Sequence, residues 1–185
     1  MNMKIIQTSY THTGSTVLVN ILYGLFEPNS PVICGKFKNL LMNLKSKKYL
    51  LMKTHELNIR NWVDNPEFFF ICSERDTKYP DYFYCSKNIL VIKYGDLLET
   101  KDLTIETIVS RFLDRLQSFL PGHLFTDINA MKNSAIDRLK KMNSKYEEIK
   151  DKDFSYTDNF FHIHGSHRNR ACPEEIEASC HCDNN

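Results

Sequence analysis

Apolar residues along the chain come in two rhythms. Short unbroken runs, Lys4-Ile5-Ile6, Val32-Ile33-Cys34, Tyr49-Leu50-Leu51-Met52, Phe68-Phe69-Phe70-Ile71-Cys72 and Ile89-Leu90-Val91-Ile92, have the length of strands and do not alternate with polar residues. Continuous apolar runs of that length predict strands covered on both faces. Elsewhere the spacing is helical: Val17, Leu18, Ile21, Leu22 and Leu25; then Phe37, Leu40, Leu41 and Leu44; then Ile105, Ile108, Val109, Phe112, Leu113, Leu116 and Leu120. The second of these closes in Lys45-Ser46-Lys47-Lys48, which suits the negative end of a helix, and the third is stopped by Pro121-Gly122. Pro28-Asn29-Ser30-Pro31 and Asp64-Asn65-Pro66 punctuate the pattern as turns. Leu57 to Val63 reads as a linker or short helix, and Tyr79 to Ser86 as an aromatic, turn-rich connection. The stretch 129–150 is compatible with a helix but highly charged and poor in large apolar residues, so a loosely packed outer helix is expected there.

Strands alternating with helices predict an α/β fold in three layers, a mostly parallel central sheet with helices on both faces. The chain of 185 residues suits one such domain over residues 1–150, followed by a C-terminal tail over 151–185. The formal net charge of +1 gives no reason to expect a nucleic-acid partner. No apolar run approaches the length of about 18 residues that a membrane span needs. No long apolar segment precedes Thr8 and Ser9, so no secretory signal is expected. Cys34, Cys72, Cys85, Cys172, Cys180 and Cys182 lack the regular spacing of a disulfide framework and read as reduced thiols, which predicts a cytoplasmic location. His162, His164, His167, Cys172, Cys180, His181 and Cys182 crowd the C-terminus without the paired spacing of a zinc site, so no metal is expected.

In open parallel sheets ligands bind beyond the carboxyl ends of the strands. Three chemically equipped stretches fall there. His12-Thr13-Gly14-Ser15-Thr16 joins the first strand to the first helix. A helix N-terminus offers unpaired N–H groups and the positive end of the dipole, an anion site. Gly14 lets backbone approach a ligand, and Thr13, Ser15 and Thr16 bring hydroxyls. Hydroxyl residues ahead of an apolar helical run also serve simply as N-caps. Lys53-Thr54-His55 ends the third strand; alternation puts Lys53 and His55 on one side, an electrostatic partner and a candidate general base. Glu56 is a second candidate base. Ser73-Glu74-Arg75-Asp76 ends the fourth strand, and Arg75 is suited to grip a phosphate with paired hydrogen bonds.

The loop is not a nucleoside-triphosphate P-loop, which needs G-x-x-x-x-G-K-[ST]; no Lys is present in it. Thr13-Gly14-Ser15-Thr16 instead resembles the 5′-phosphosulfate loop of sulfotransferases that use 3′-phosphoadenosine 5′-phosphosulfate (PAPS). His12 stands where that family carries Lys or Arg. Lys53-Thr54-His55 is similar to the family's K-T-H motif, whose His removes the acceptor's hydroxyl proton and whose Lys assists the leaving phosphate. Arg75 matches the family's 3′-phosphate Arg; the Ser expected eight residues later is Phe83 here, with Ser86 and Ser73 the nearest replacements. The family closes its cofactor site with a basic C-terminal loop, a part that Arg168 and Arg170 would play. The resemblance implies a minimal, P-loop-like sulfotransferase that moves a sulfuryl group from PAPS to a hydroxyl of a carbohydrate, a protein tyrosine or a small alcohol, leaving adenosine 3′,5′-bisphosphate. Two other readings stand beside it: a non-catalytic nucleotide-binding module derived from a sulfotransferase, and a nucleoside-triphosphate-dependent kinase with Asp76 as a magnesium ligand.

Overall fold

The computed structural model describes residues 3–10, 13–26, 33–34, 49–149, 155–156 and 163–164. Its elements in chain order are β1 (Met3–Thr8), α1 (Ser15–Phe26), β2 (Ile33–Cys34), β3 (Tyr49–Thr54), β4 (Phe68–Glu74), α2 (Tyr82–Cys85), β5 (Ile89–Lys93), α3 (Ile105–Phe119), α4 (Ile128–Ile149), β6 (Ser155–Tyr156) and β7 (Ile163–His164). The first five strands form one sheet of order β2-β3-β1-β4-β5, and every pairing in it is parallel. The α/β class and the parallel sheet are therefore as the apolar runs predict. β6 and β7 form a separate antiparallel pair within the segment expected as a tail.

β1 is buried at every position, as a central strand must be. From β1 the chain crosses outward past β3 to β2; from β3 and β4 it crosses the other way, to β4 and β5. Crossovers that run in opposite directions with one handedness lie on opposite faces. One face carries Met3, Ile5, Leu51, Ile71 and Ile92 against α1, α3 and α4. The other carries Ile6, Met52, Phe70 and Cys72 under Ile59, Trp62, Tyr79 and Phe83. Among the described residues the long helices thus gather on a single face, while the second is covered by the turns of Leu57 to Val63 and by the one-turn α2. The helix expected over Phe37 to Leu44 lies outside the described residues. No described helix is long and apolar enough to cross a membrane.

α3 forms where its apolar spacing predicts, and its first turn is capped by the Thr104 hydroxyl, which accepts from the Thr107 N–H at 3.3 Å. α4 corrects the expectation of a loose outer helix. It buries Ala135, Ile136, Leu139, Met142 and Tyr146 against α1 and α3. The fit is set by two small residues: a Cβ on Gly24 would stand 2.4 Å from the Ala135 Cα. The same interface buries a polar link, in which Arg138 Nε donates to Asn20 Oδ1 at 2.8 Å while its guanidinium lies 3.9 Å from the centre of the Tyr23 ring. Few large apolar residues suffice because the backbones themselves come close.

Gly24→Ala is expected to destabilise the protein by about 1–3 kcal/mol, the usual cost of overpacking, despite the better helix propensity of Ala. Urea unfolding checks this, and adding Ala135→Gly should not restore the midpoint, since the clash is with main-chain atoms, Cα at 2.4 Å and N at 2.9 Å.

Candidate functional site

The carboxyl ends of the three inner strands meet in register. Thr8 pairs with Thr54, and Gln7 pairs with both Lys53 and Ile71, so Ser9 comes level with His55 on one side and Ser73 on the other. The side chains at this level form a polar floor. Ser9 Oγ accepts from the Ser73 N–H at 2.8 Å, from Ser73 Oγ at 3.0 Å and from Gln7 Nε2 at 2.8 Å. Thr13 Oγ1 donates to the Tyr10 carbonyl at 2.8 Å and lies 3.1 Å from Ser73 Oγ. Gln7 Oε1 is fully buried and has no hydrogen-bond partner among the described residues. Beneath the floor, on the opposite face, the Tyr79 hydroxyl donates to the Ser73 carbonyl at 2.7 Å and accepts from the Tyr10 N–H at 3.3 Å. Burial, with Cys72 close by, holds the Tyr79 phenol well above its ordinary range, so it stays a neutral clamp.

Above the floor the loop turns into α1. Gly14 has φ +83°, a left-handed conformation that side chains rarely adopt, and its carbonyl accepts the first helical bond from the Leu18 N–H at 3.0 Å. The N–H groups of Ser15, Thr16 and Val17 fall in the first turn, where no intrahelical acceptor exists. Gly14 is required for a second reason: its added Cβ would meet Tyr94 Cδ2 at 2.8 Å. Of the expected phosphate-binding hydroxyls, Thr13 has already directed its hydrogen to Tyr10, which leaves those of Ser15 and Thr16 beside the helix N–H groups.

Lys53 is 5% exposed, and its ammonium donates to Thr16 Oγ1 at 3.2 Å. The end of β3 and the start of α1 therefore share one spot. His55 is exposed, and its Nδ1 lies 2.8 Å from the Ser9 carbonyl oxygen. A carbonyl only accepts, so Nδ1 carries the hydrogen and Nε2 is the basic nitrogen. Glu56 is held by its backbone: its carbonyl accepts from Thr8 Oγ1 at 2.5 Å, and its N–H donates to Thr54 Oγ1 at 3.1 Å. Arg75 stands over the Tyr94 ring at 5.1 Å and pairs through Nε with Asp76 Oδ2 at 3.1 Å. Exposed pairs of this kind are worth little and exchange readily for a stronger anion. Tyr94 thus lies between Gly14 and Arg75.

Ser86 is placed elsewhere. Its hydroxyl donates to the Tyr82 carbonyl at 2.7 Å and its N–H to the same oxygen at 3.1 Å, closing the end of α2. Ser73, the other replacement considered for the missing Ser, is buried in the floor. His12, Arg168 and Arg170 lie outside the described residues. Ser9, Tyr79 and Tyr94 were not among the expected site residues. The available signal was positional: Ser9 and Tyr94 each come just beyond the end of an apolar run.

No protein-family model matches the sequence, and comparison with curated proteins gives no match.

Beside the loop a cavity of about 160 Å³ opens between the first turn of α1, Tyr94 and the side chains Ile108, Leu139, Met142 and Tyr146. It extends the site towards β5 and away from His55, which does not line it.

Gly14→Ala is expected to cost about 1–3 kcal/mol of stability through its left-handed φ and the displacement of Tyr94. Thermal unfolding checks this; calorimetry of the folded variant with adenosine 3′,5′-bisphosphate, the ligand the loop's motif leads one to expect, should show no binding, and an affinity equal to that of the unaltered chain would remove the loop from the site.

Proposed function

We propose that the chain is a PAPS-dependent sulfotransferase that moves a sulfuryl group to an acceptor hydroxyl. The observation that carries the proposal is the Lys53 ammonium at 3.2 Å from Thr16 Oγ1, which joins the K-T-H stretch to the phosphosulfate-like loop. Arg75 and Gly14 on one Tyr94 ring add a second phosphate-gripping group beside the same loop. Residues expected from their motifs to act together are thereby near one another, although they are far apart in sequence. The sheet order, with this loop following its central strand, is compatible with a P-loop-like sulfotransferase architecture.

PAPS supplies the sulfuryl group and leaves as adenosine 3′,5′-bisphosphate. His55 Nε2 takes the proton of the acceptor hydroxyl, whose oxygen forms the new bond to sulfur as the sulfur–phosphate oxygen bond breaks. The electron pair of that bond goes to the 5′-phosphate, where Lys53 and the N–H groups of Ser15 to Val17 stabilise the growing charge. Positioning and electrostatics do the catalytic work, as in phosphoryl transfer. Arg75 would hold the 3′-phosphate, with Arg168, Arg170 and His12 as further cationic candidates. Glu56 is the alternative base. The acceptor is a carbohydrate, a protein tyrosine or a small alcohol. A cytoplasmic setting is part of the proposal, supported by the free thiols of Cys72 and Cys85. The kinase alternative is weaker, because the loop has no Lys.

Two expected outcomes test the assignment. Arg75→Ala should weaken adenosine 3′,5′-bisphosphate about tenfold or more while leaving adenosine 5′-phosphate nearly unchanged, as read by calorimetry. Equal losses for both ligands would make Arg75 structural. His55→Ala should lower the rate of sulfate transfer about 10²–10⁴-fold with little change in nucleotide affinity. If Glu56→Gln removes activity and His55→Ala does not, the carboxylate is the base. A wild-type protein that binds nucleotide and transfers nothing is the binding module.

A further inference from the structure

The cavity beside the loop has a shape and lining of its own. Its volume is about 160 Å³, and Ile108 from α3 with Leu139 and Met142 from α4 give it apolar walls. A cavity of about 150 Å³ walled by aliphatic side chains accommodates a benzene ring. Volume and walls therefore suit a flat, weakly hydrated ring better than a sugar. The cavity opens on Gly14 to Val17 at one end and on Tyr94, the ring that carries Arg75, at its side. A group seated there would be continuous with anything whose phosphates lie at the loop and at Arg75. The candidate bases lie in the other direction: β3, which delivers His55, and β5, which delivers Tyr94, are on opposite sides of β1. An acceptor in this cavity would sit away from His55, so the cavity belongs to the nucleotide.

Apart from the hydroxyls of Ser15, Thr16, Tyr94 and Tyr146, the polar side chains of the lining are Glu99 and Asn143, and these two adjoin. Asn143 Nδ2 donates to Glu99 Oε2 at 3.3 Å, a long bond between exposed or half-buried partners. Together they present a carboxylate acceptor beside an amide donor. Adenine shows the complement on one edge, an amine donor next to a ring-nitrogen acceptor, whereas the corresponding edge of guanine shows two acceptors.

We infer that this cavity seats the adenine ring of the bound nucleotide, with Glu99 accepting from its exocyclic amine and Asn143 donating to the adjacent ring nitrogen. The inference deepens the proposed function and rests only on its nucleotide-binding part. Ring burial supplies affinity, and the Glu99–Asn143 pair supplies selectivity for an amine-bearing purine.

Calorimetry on the full chain with adenosine, inosine and guanosine 5′-phosphates tests this. Inosine 5′-phosphate carries a carbonyl oxygen in place of the amine, and it should bind about tenfold or more weakly than adenosine 5′-phosphate. Glu99→Gln, an exposed substitution expected to leave the unfolding midpoint unchanged, should bring the two affinities together by weakening only the adenosine ligand. Asn143→Leu should weaken the adenosine ligand as well. Equal wild-type affinities for the adenosine and inosine ligands, a ratio unaltered by Glu99→Gln, tighter binding of guanosine 5′-phosphate, or no binding of any of the three would overturn the inference. Failure of the sulfotransferase assignment looks different: adenosine 3′,5′-bisphosphate gains nothing over adenosine 5′-phosphate while the amine preference persists, an outcome that supports the base seat.

Discussion

β1 gives its backbone hydrogen bonds to β3 along one edge and to β4 along the other, and the geometry of the site follows from that double pairing. The register Thr8↔Thr54 on one side and Gln7↔Ile71 on the other brings three strand ends to one level. Strand alternation then sends Gln7 and Ser9, Lys53 and His55, and Ser73 and Arg75 towards the face that α1 covers. A slip of one residue in either pairing would turn a whole set to the opposite face. The continuous apolar run of β1 guards against such a slip only weakly, since both of its faces are buried. The flanks supply the guard: Lys4 forms an ion pair with Glu67 at one end of the strand, and Ser9 binds the Ser73 N–H at the other.

A buried polar floor is costly unless its members satisfy one another. Here the Ser73 N–H, Ser73 Oγ and Gln7 Nε2 share Ser9 Oγ, and Thr13 and Tyr79 close the network from above and below, while Gln7 Oε1 has no partner among the described residues. The benefit is rigidity directly under the loop. Gly14 adopts its left-handed turn without strain because it has no Cβ, and Tyr94 packs against the place a side chain would take. The same ring carries Arg75. One aromatic residue after β5 thus couples loop geometry to the placement of a cation, which is the kind of pre-organisation a phosphate site needs.

The sheet and α3 were legible because their signals are local: unbroken apolar runs of strand length, and a repeat of Ile105, Ile108, Val109 and Phe112 with a capping Thr104 before it. The loop, Lys53 and Arg75 were legible as residues beyond strand ends, and the structure brings them together. The packing of α4 is not legible in hydropathy, because close approach of backbones leaves little trace there: the contact depends on Gly24 having no Cβ, which would stand 2.4 Å from the Ala135 Cα. Ser86 was assigned by its distance in sequence from Arg75, but α2 intervenes and uses the hydroxyl as its own cap. Tyr94, Glu99 and Asn143 could not be grouped from sequence, since the cavity they share is built from α1, the connection after β5, α3 and α4.

The central claim is that the loop and Arg75 together hold a nucleotide phosphorylated at both the 3′ and 5′ positions. Side-by-side calorimetry with adenosine 3′,5′-bisphosphate and with ATP plus magnesium is its most direct test. The account predicts one-to-one binding of the bisphosphate, at least about tenfold tighter than ATP. Tight binding of ATP with magnesium and none of the bisphosphate would contradict it and return the site to the kinase class.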